Sequence, residues 1–251
     1  MIRRRGVGLP ELLVALALSG VVMAAATRAL ALHLQLQRAR ETQARADEIA
    51  HDVLAVLRAE AGRALGAPLV LGDTALDLAS QRILATPCER AALRLVVSAA
   101  DPWWSPPRAG DSVALLDTLT RSEWRTTVAA VGSLRRSVAC PLGGTRLTLS
   151  DTPPATVPAL TVPVRVWRRV RYTIYRSSDG YWWFGERSCA SACGSAQPIA
   201  GPLRSASQHG LRLLPVLNGT GRPTAIDVEV RAEFHSHSSV RQARLTIASS
   251  P

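Results

Sequence analysis

Apolar and polar positions divide the chain into an all-round apolar start, an amphipathic continuation and a long region with period two. Across residues 7–27 the only ionisable side chain is Glu11. Twenty-one helical residues rise about 30 Å, the thickness of a bilayer core. Beyond Arg28 the apolar positions Leu30, Leu34, Ile49, Val53, Leu57, Ala61 and Leu65 recur at helical spacing, and no proline or glycine intervenes between Gly20 and Gly62. The pattern predicts one continuous helix over 7–65, about 90 Å long. That is far more than a membrane needs, so its second half projects from the bilayer and packs its stripe on the C-terminal region. Gly62, Gly66 and Pro68 end the helix.

From there the alternation predicts short strands over 93–97, 112–117, 125–131 and 145–149, separated by turn-rich stretches such as Asp101-Pro102-Trp103-Trp104-Ser105-Pro106-Pro107 and Asp151-Thr152-Pro153-Pro154. The clearest strand is 164–175. Val164, Val166, Val170, Tyr172 and Ile174 fall on one face, Arg165, Trp167, Arg169 and Arg171 on the other. Ser177-Ser178-Asp179-Gly180 turns it back into 181–186 as a hairpin. Ile226, Val228, Val230, Ala232 and Phe234 form the inner face of a half-buried antiparallel strand, which 241–247 joins across a His-Ser-His-Ser-Ser turn. The fold class is therefore α+β, a long N-terminal helix packed on an antiparallel β-sheet head. No internal repeat is found.

Composition sets the scale. The 251 residues, 47% hydrophobic, suffice for one medium domain with its own core and an N-terminal anchor. The net charge is +11, or +8 once Arg3, Arg4 and Arg5 are subtracted, and all 30 basic residues are arginine. A GC-rich coding sequence produces that bias as readily as a selected basic surface; either way the charge biases the chain toward acidic partners or anionic lipid. Cys88, Cys140, Cys189 and Cys193 are even in number and include no C-x-x-C pair. Behind a membrane-targeting N-terminus they read as disulfides, and of the three possible pairings Cys189 with Cys193 and Cys88 with Cys140 is preferred over a four-cysteine zinc site.

Glu11 is the position that calls for a function, because a carboxylate at the head of a membrane helix costs about 2 to 3 kcal/mol. A blander reading places it at the interface, helped by the positive end of the helix. The basic leader, Gly6, then Val7-Gly8-Leu9-Pro10-Glu11-Leu12-Leu13-Val14-Ala15-Leu16-Ala17-Leu18 resembles the class III signal of type IV pilins and type II secretion pseudopilins. There a short leader ends in Gly and a Glu follows five places on. The resemblance covers residues 3 to about 30 closely and the rest in layout. It implies a leader at 1–6, a stalk helix at 7–65 with 7–27 spanning the inner membrane once, and a periplasmic β-rich head at 66–251.

It further implies that prepilin peptidase cuts between Gly6 and Val7 and methylates the new amine of Val7. Glu11 then draws the subunit into the fibre by pairing with the amine of a neighbour, two charges each costly alone in an apolar bundle and attractive together. Val7 replaces the usual Phe, and Pro10 occupies a variable place that the first helical turn accepts. Arg28 stands where major pilins commonly carry a helix-kinking Pro, which together with the chain's length points to a minor subunit. The head resembles in layout the J-type subunits of type II secretion and the W-type of type IV pili. The implied partners are other minor and major pilins or pseudopilins, prepilin peptidase and inner-membrane lipid. An ordinary secretory signal remains the rival, since Arg3 to Arg5, the apolar run and Ala24-Ala25-Ala26 satisfy that template too.

No H-E-x-x-H, G-x-S-x-G, P-loop or G-x-G-x-x-G pattern occurs; Asn218-Gly219-Thr220-Gly221-Arg222-Pro223 reads as a plain loop. The expectation is a structural protein rather than an enzyme, with no cofactor and no metal; His235 and His237 read as turn residues. Arg165, Trp167, Arg169, Arg171 and Tyr175 interleave basic and aromatic groups as a nucleic-acid platform does, which would make the chain a DNA-binding competence pilin; a solvated strand face is the preferred reading. Of the doublets Trp103-Trp104 and Trp182-Trp183, the second places one indole off the core face, where it suits a subunit interface.

Overall fold

The computed structural model describes residues 8–65, 68–98, 106–117, 119–157, 162–189, 192–221, 223–235 and 237–247. Among these residues one α-helix, α1 (Leu9–Ala61, 53 residues), is followed, apart from a 3-10 turn at Ala206–Gln208, by thirteen strands. These are β1 (Leu69–Leu71), β2 (Ala75–Ala85), β3 (Pro87–Ala91), β4 (Arg94–Ser98), β5 (Ser112–Asp117), β6 (Ser122–Leu134) and β7 (Gly144–Leu149), then β8 (Val164–Arg176), β9 (Trp182–Ser188), β10 (Gln197–Leu203), β11 (Leu211–Leu217), β12 (Pro223–Phe234) and β13 (His237–Thr246). All pair antiparallel, and the expected α+β class, a helix on an antiparallel sheet, is what the chain adopts.

Helix α1 meets the head only in its second half. Ala46, Ile49, Ala50, Val53, Leu54, Leu57 and Ala61 are buried, a stripe at spacings of three and four. Leu30 and Leu34, expected to continue that stripe, are exposed because the head begins beyond them. The first tie is Thr42, whose hydroxyl lies 3.0 Å from His237 Nδ1, and Ser239 Oγ then donates to Asp47 Oδ1. The helix stops at Ala61, four residues before the expected end. There Gly62 N–H still reaches Arg58 O at 3.0 Å, but Arg63 O accepts from Gln81 N at 3.0 Å and Leu65 N donates to Ala79 O at 2.8 Å. Arg63 O and Leu65 N–H are thus taken by β2, while the Arg63 and Ala64 N–H groups close a tighter last turn on Glu60 O and Ala61 O.

Two strands branch the sheet. β2 occupies one edge of β8 along residues 164–173, so β9 at 170–176 and β5 at 165–167 share the other. On β12, β13 takes one edge while β11 and β10 share the second. β6, β7, β4 and β3 follow outward from β5, and β1 pairs with β2. Two apolar cores result. One lies under α1 and gathers Leu57, Leu76, Tyr172, Phe184, Leu213 and Ile226; the other, away from the helix, gathers Ile83, Leu95, Val113, Leu147 and Val166 from the sheet and Val157 from the β7–β8 loop. β2 and β8 run through both.

The strands expected over 93–97, 112–117, 125–131, 145–149 and 164–175 appear as β4, β5, β6, β7 and β8, with β6 longer at both ends. The β8–β9 hairpin closes at Gly180 in the left-handed region, φ +85, where a side chain would be strained. Five strands had no clear alternation. β10 and β11 contain prolines that argue against strand, β1 and β3 are short, and β2 breaks its own period. The register skips between Gln81 and Ile83, so Arg82 is an extra residue and Ile83 and Ala85 rejoin the face of Leu76 and Leu78.

Disulfides join Cys88 to Cys140, 52 residues apart, and Cys189 to Cys193. The first ties β3 to the loop after β6 and, by chain entropy, contributes about 4 kcal/mol; the second closes a small loop and contributes about half that.

Leu57 is fully buried between helix and sheet, whereas Leu34 is 45% exposed. Leu57→Ala is expected to lower the unfolding free energy of the detergent-solubilised chain by about 2–5 kcal/mol in urea titration, and Leu34→Ala by less than about 0.5 kcal/mol. Acid should unfold the head in a defined window. The Thr156 hydroxyl holds Asp117 below the ordinary carboxylate range, as Arg244 does Asp227 and Arg231 does Glu229. The unfolded chain then binds more protons, so this stability is present above the unfolded carboxylate pKa and is lost as pH falls through the folded values. Circular dichroism should show a midpoint of denaturation that drops below about pH 4.

Candidate functional site

The N-terminal turn of α1 is built around Glu11. Gly8 is the N-cap, Pro10 sits in the first turn where its missing N–H costs nothing, and Glu11 Oε2 accepts the Gly8 N–H at 3.0 Å. Glycine has no side chain to return the bond, so this is half of a reciprocal cap. The carboxylate also lies at the positive end of the helix dipole. Gly6 and Val7, the residues of the expected cleavage and methylation, lie outside the described residues.

From Glu11 onward the helix is suited to lipid. Residues 9–38 are exposed on all sides, including Leu12, Leu13, Val14, Leu16, Leu18 and Val21. The hydroxyls in this segment are satisfied by their own helix: Ser19 donates to Leu16 O at 2.9 Å, and Thr27 to Met23 O and Ala24 O at 3.0 Å. Bonds of this kind let a hydroxyl enter a bilayer without an unpaired donor. The next charge after Glu11 is Arg28.

A family model described as the prokaryotic N-terminal methylation motif matches residues 1–27. The match supports a pilin-like or pseudopilin subunit. It covers the signal and the apolar segment and says nothing of the head. No curated protein and no solved structure matches the chain. Motif and helix together support anchoring in the inner membrane with the C-terminal region outside the cytoplasm, and processing by prepilin peptidase.

The arginine face of β8 is partly neutralised, with Asp77 and Glu123 shared among Arg165, Arg169 and Arg171. Asp77 of β2, 3% exposed, accepts Arg171 Nε at 2.6 Å and Nη2 at 2.9 Å and lies 3.4 Å from Arg169 Nη2. Arg165 pairs with Glu123 at 3.1 Å, and the Arg125 guanidinium sits 5.8 Å from the Trp167 ring centre. Asp77 raises the Arg171 guanidinium further above its ordinary range. Trp182 packs on the core under α1 while Trp183 faces away and donates to Asp179 Oδ2 at 3.0 Å. Trp103 and Trp104 lie outside the described residues. His235 stands at the β12–β13 turn with φ +55, and His237 is held against Thr42. Among the described residues no group of three or more His, Cys, Asp or Glu is placed to hold a metal.

Two polar features escaped the sequence. Asp77 is one, although an acid between Leu76 and Leu78 in an apolar run was a signal. Arg168 is the other. It falls on the inner face of β8 by strict alternation, is 5% exposed, and grips Asp111 side-on at 2.6 and 2.8 Å.

Asp77→Asn should lower the thermal midpoint of unfolding, at a cost of about 1–3 kcal/mol. The loss stays below that of a fully buried pair because the guanidiniums of Arg169 and Arg171 reach water when the carboxylate is gone.

Proposed function

We propose that the chain is a minor pilin or pseudopilin: a structural, non-catalytic subunit of a priming or tip complex in a type IV pilus or type II secretion pseudopilus. It is held in the inner membrane by residues 7–27 until assembly, with its head in the periplasm. The observation that carries this reading is the continuity of α1. An apolar segment that begins in a methylation motif and is exposed on every side runs unbroken into a stripe buried on the head. A secretory signal cut near Thr27 would instead sever a helix at its middle.

Between Arg28 and Thr42 the helix rises about 20 Å before it meets the head. Leu30, Leu32, Leu34 and Leu36 are exposed there, although this stretch lies past the membrane segment. Neighbouring stalk helices in a bundle would cover them, as a fibre of such subunits requires. The absence of a proline at Arg28 and the size of the head favour a minor subunit by resemblance. The pairing of Arg165, Arg169 and Arg171 with Glu123 and Asp77 favours a structural role over a DNA-binding one.

In this reading Gly6 ends the leader, Val7 becomes the methylated N-terminus and Glu11 serves assembly. Mass spectrometry of the protein from its native membrane should find a chain beginning at N-methylated Val7. A start near Thr27 would sink the proposal. Glu11→Ala should be processed to the same N-terminus yet be depleted at least tenfold from sheared fibre or isolated tip complexes, because the variant lacks the charge that meets a neighbour's amine.

A further inference from the structure

Asn218 is the only asparagine in the chain, and a glycine follows it. The turn Asn218-Gly219-Thr220-Gly221 joins β11 to β12, and all four residues are exposed. Asn-Gly is favoured in tight turns for its backbone freedom, which accounts for the pair without any chemistry. The hydrogen bonds of this turn add a chemical reading.

Two amides of the turn are tied down. Gly221 N–H donates to Asn218 O at 2.9 Å and Thr220 N–H to Asn218 Oδ1 at 3.0 Å. The Gly219 N–H makes no hydrogen bond among the described residues. That nitrogen is the one whose attack on Asn218 Cγ closes a five-membered ring, and a hydrogen bond would hold back the proton it must lose. The Thr220 hydroxyl also donates to Oδ1, at 2.7 Å. The oxygen that gains negative charge during the attack therefore already faces two donors. A Cβ built on Gly219 would meet no atom within 4 Å, so the surroundings leave room for the ring.

The chain's one Asp-Gly pair, Asp179-Gly180, could close the same ring but is held differently. Gly180 N–H is committed to Ser177 O at 3.0 Å. Both carboxylate oxygens of Asp179 are engaged, by Tyr181 N–H at 2.9 Å and by the Trp183 indole N–H at 3.0 Å. The two turns have similar sequences and opposite treatment of the attacking amide.

We propose that Asn218 is a site of spontaneous deamidation. Gly219 N gives its proton to water and bonds to Asn218 Cγ. The bond from Cγ to the side-chain nitrogen breaks, and that nitrogen takes up a proton and leaves as ammonia. Water then opens the succinimide at either carbonyl to give aspartate or isoaspartate. One water is consumed and one ammonia released, with no oxidant, reductant or cofactor. The product adds a carboxylate to the turn, and isoaspartate also adds a carbon to its main chain. β12 runs twelve residues, roughly 35–40 Å, from this turn to the end of the head where α1 enters. The new charge thus appears at the opposite end, whatever the chain assembles with.

The test ages the full chain in a nonionic detergent at neutral and mildly alkaline pH, with tryptic digestion and mass spectrometry at intervals. Isoaspartate is labelled by a protein-isoaspartate methyltransferase. The peptide that carries Asn218 is expected to gain one mass unit, faster at the higher pH, and to take up label, while the peptide that carries Asp179 stays unlabelled. Gly219 has open space for a Cβ and is not in the left-handed region, so Gly219→Ala keeps the turn; its Cβ hinders the attacking nitrogen and should slow the reaction about tenfold. Thr220→Val removes one donor from Oδ1 and should slow it about threefold. An Asn218 peptide that keeps its mass in the folded chain but deamidates once the chain is unfolded in urea overturns the proposal. So does a rate that Gly219→Ala leaves unchanged. Equal labelling at residues 179 and 218, or no slowing in Thr220→Val, overturns the part assigned to the hydrogen bonds.

Discussion

One helix has to satisfy two solvents, and the rest of the molecule follows from how it does so. The first half of α1 is apolar on every side and buries nothing within the chain, so its stability must come from lipid or from other helices. The second half is apolar on one stripe and buries that stripe on the sheet. The change occurs between Arg28 and Thr42. Because the helix is continuous across it, head and anchor are joined by a rod whose orientation is set by the contacts of Thr42 and Asp47 with β13.

The sheet answers that rod with a division of its own. Only part of β2 and β8 can lie under α1, because the helix ends at Ala61, so the remainder must find a second core from β3 to β7. The seam between the cores is where apolar packing from either side runs out. Arg82 sits there as the extra residue of the β2 bulge, and the same bulge restores Ile83 and Ala85 to the inner face. Polar side chains in such a seam must be paired, and Arg168 with Asp111 shows what full pairing looks like within a few residues of Arg82.

This seam also marks what the sequence could and could not disclose. Residues with an unbroken period were legible: the stripe Ile49, Val53, Leu57 and Ala61, the β8 alternation and the β8–β9 turn all lie where the pattern put them. The signal segment was legible for a different reason, since a lone Glu in an apolar run has few physical explanations. What was hidden depends on partners distant in sequence. β2 lost its alternation because the bulge shifts its parity, and the arginine face of β8 looked bare because its counter-charge, Asp77, arrives from a strand about ninety residues earlier. By residue type nothing in the sequence sets Arg168 apart from the other arginines among thirty. The helical period runs past the end of α1 because backbone pairing of Arg63 and Leu65 with β2 outweighs another helical turn.

Glu11 gains a quantitative footing from the local geometry. A carboxylate at the head of the apolar helix costs about 2 to 3 kcal/mol on insertion scales. The Gly8 N–H and the helix dipole return about 1 kcal/mol of that, up to about 2 in a sheltered setting. A deficit of roughly 0–2 kcal/mol is left by those figures, and the cap engages only Oε2 among the described residues. In the proposed role, a processed amine on a neighbouring subunit would bind the second oxygen without breaking the cap, and would have to supply only this remainder. The cap therefore makes the carboxylate tolerable in an unassembled subunit and still short of a partner, which is the condition a residue needs to drive assembly rather than merely survive it.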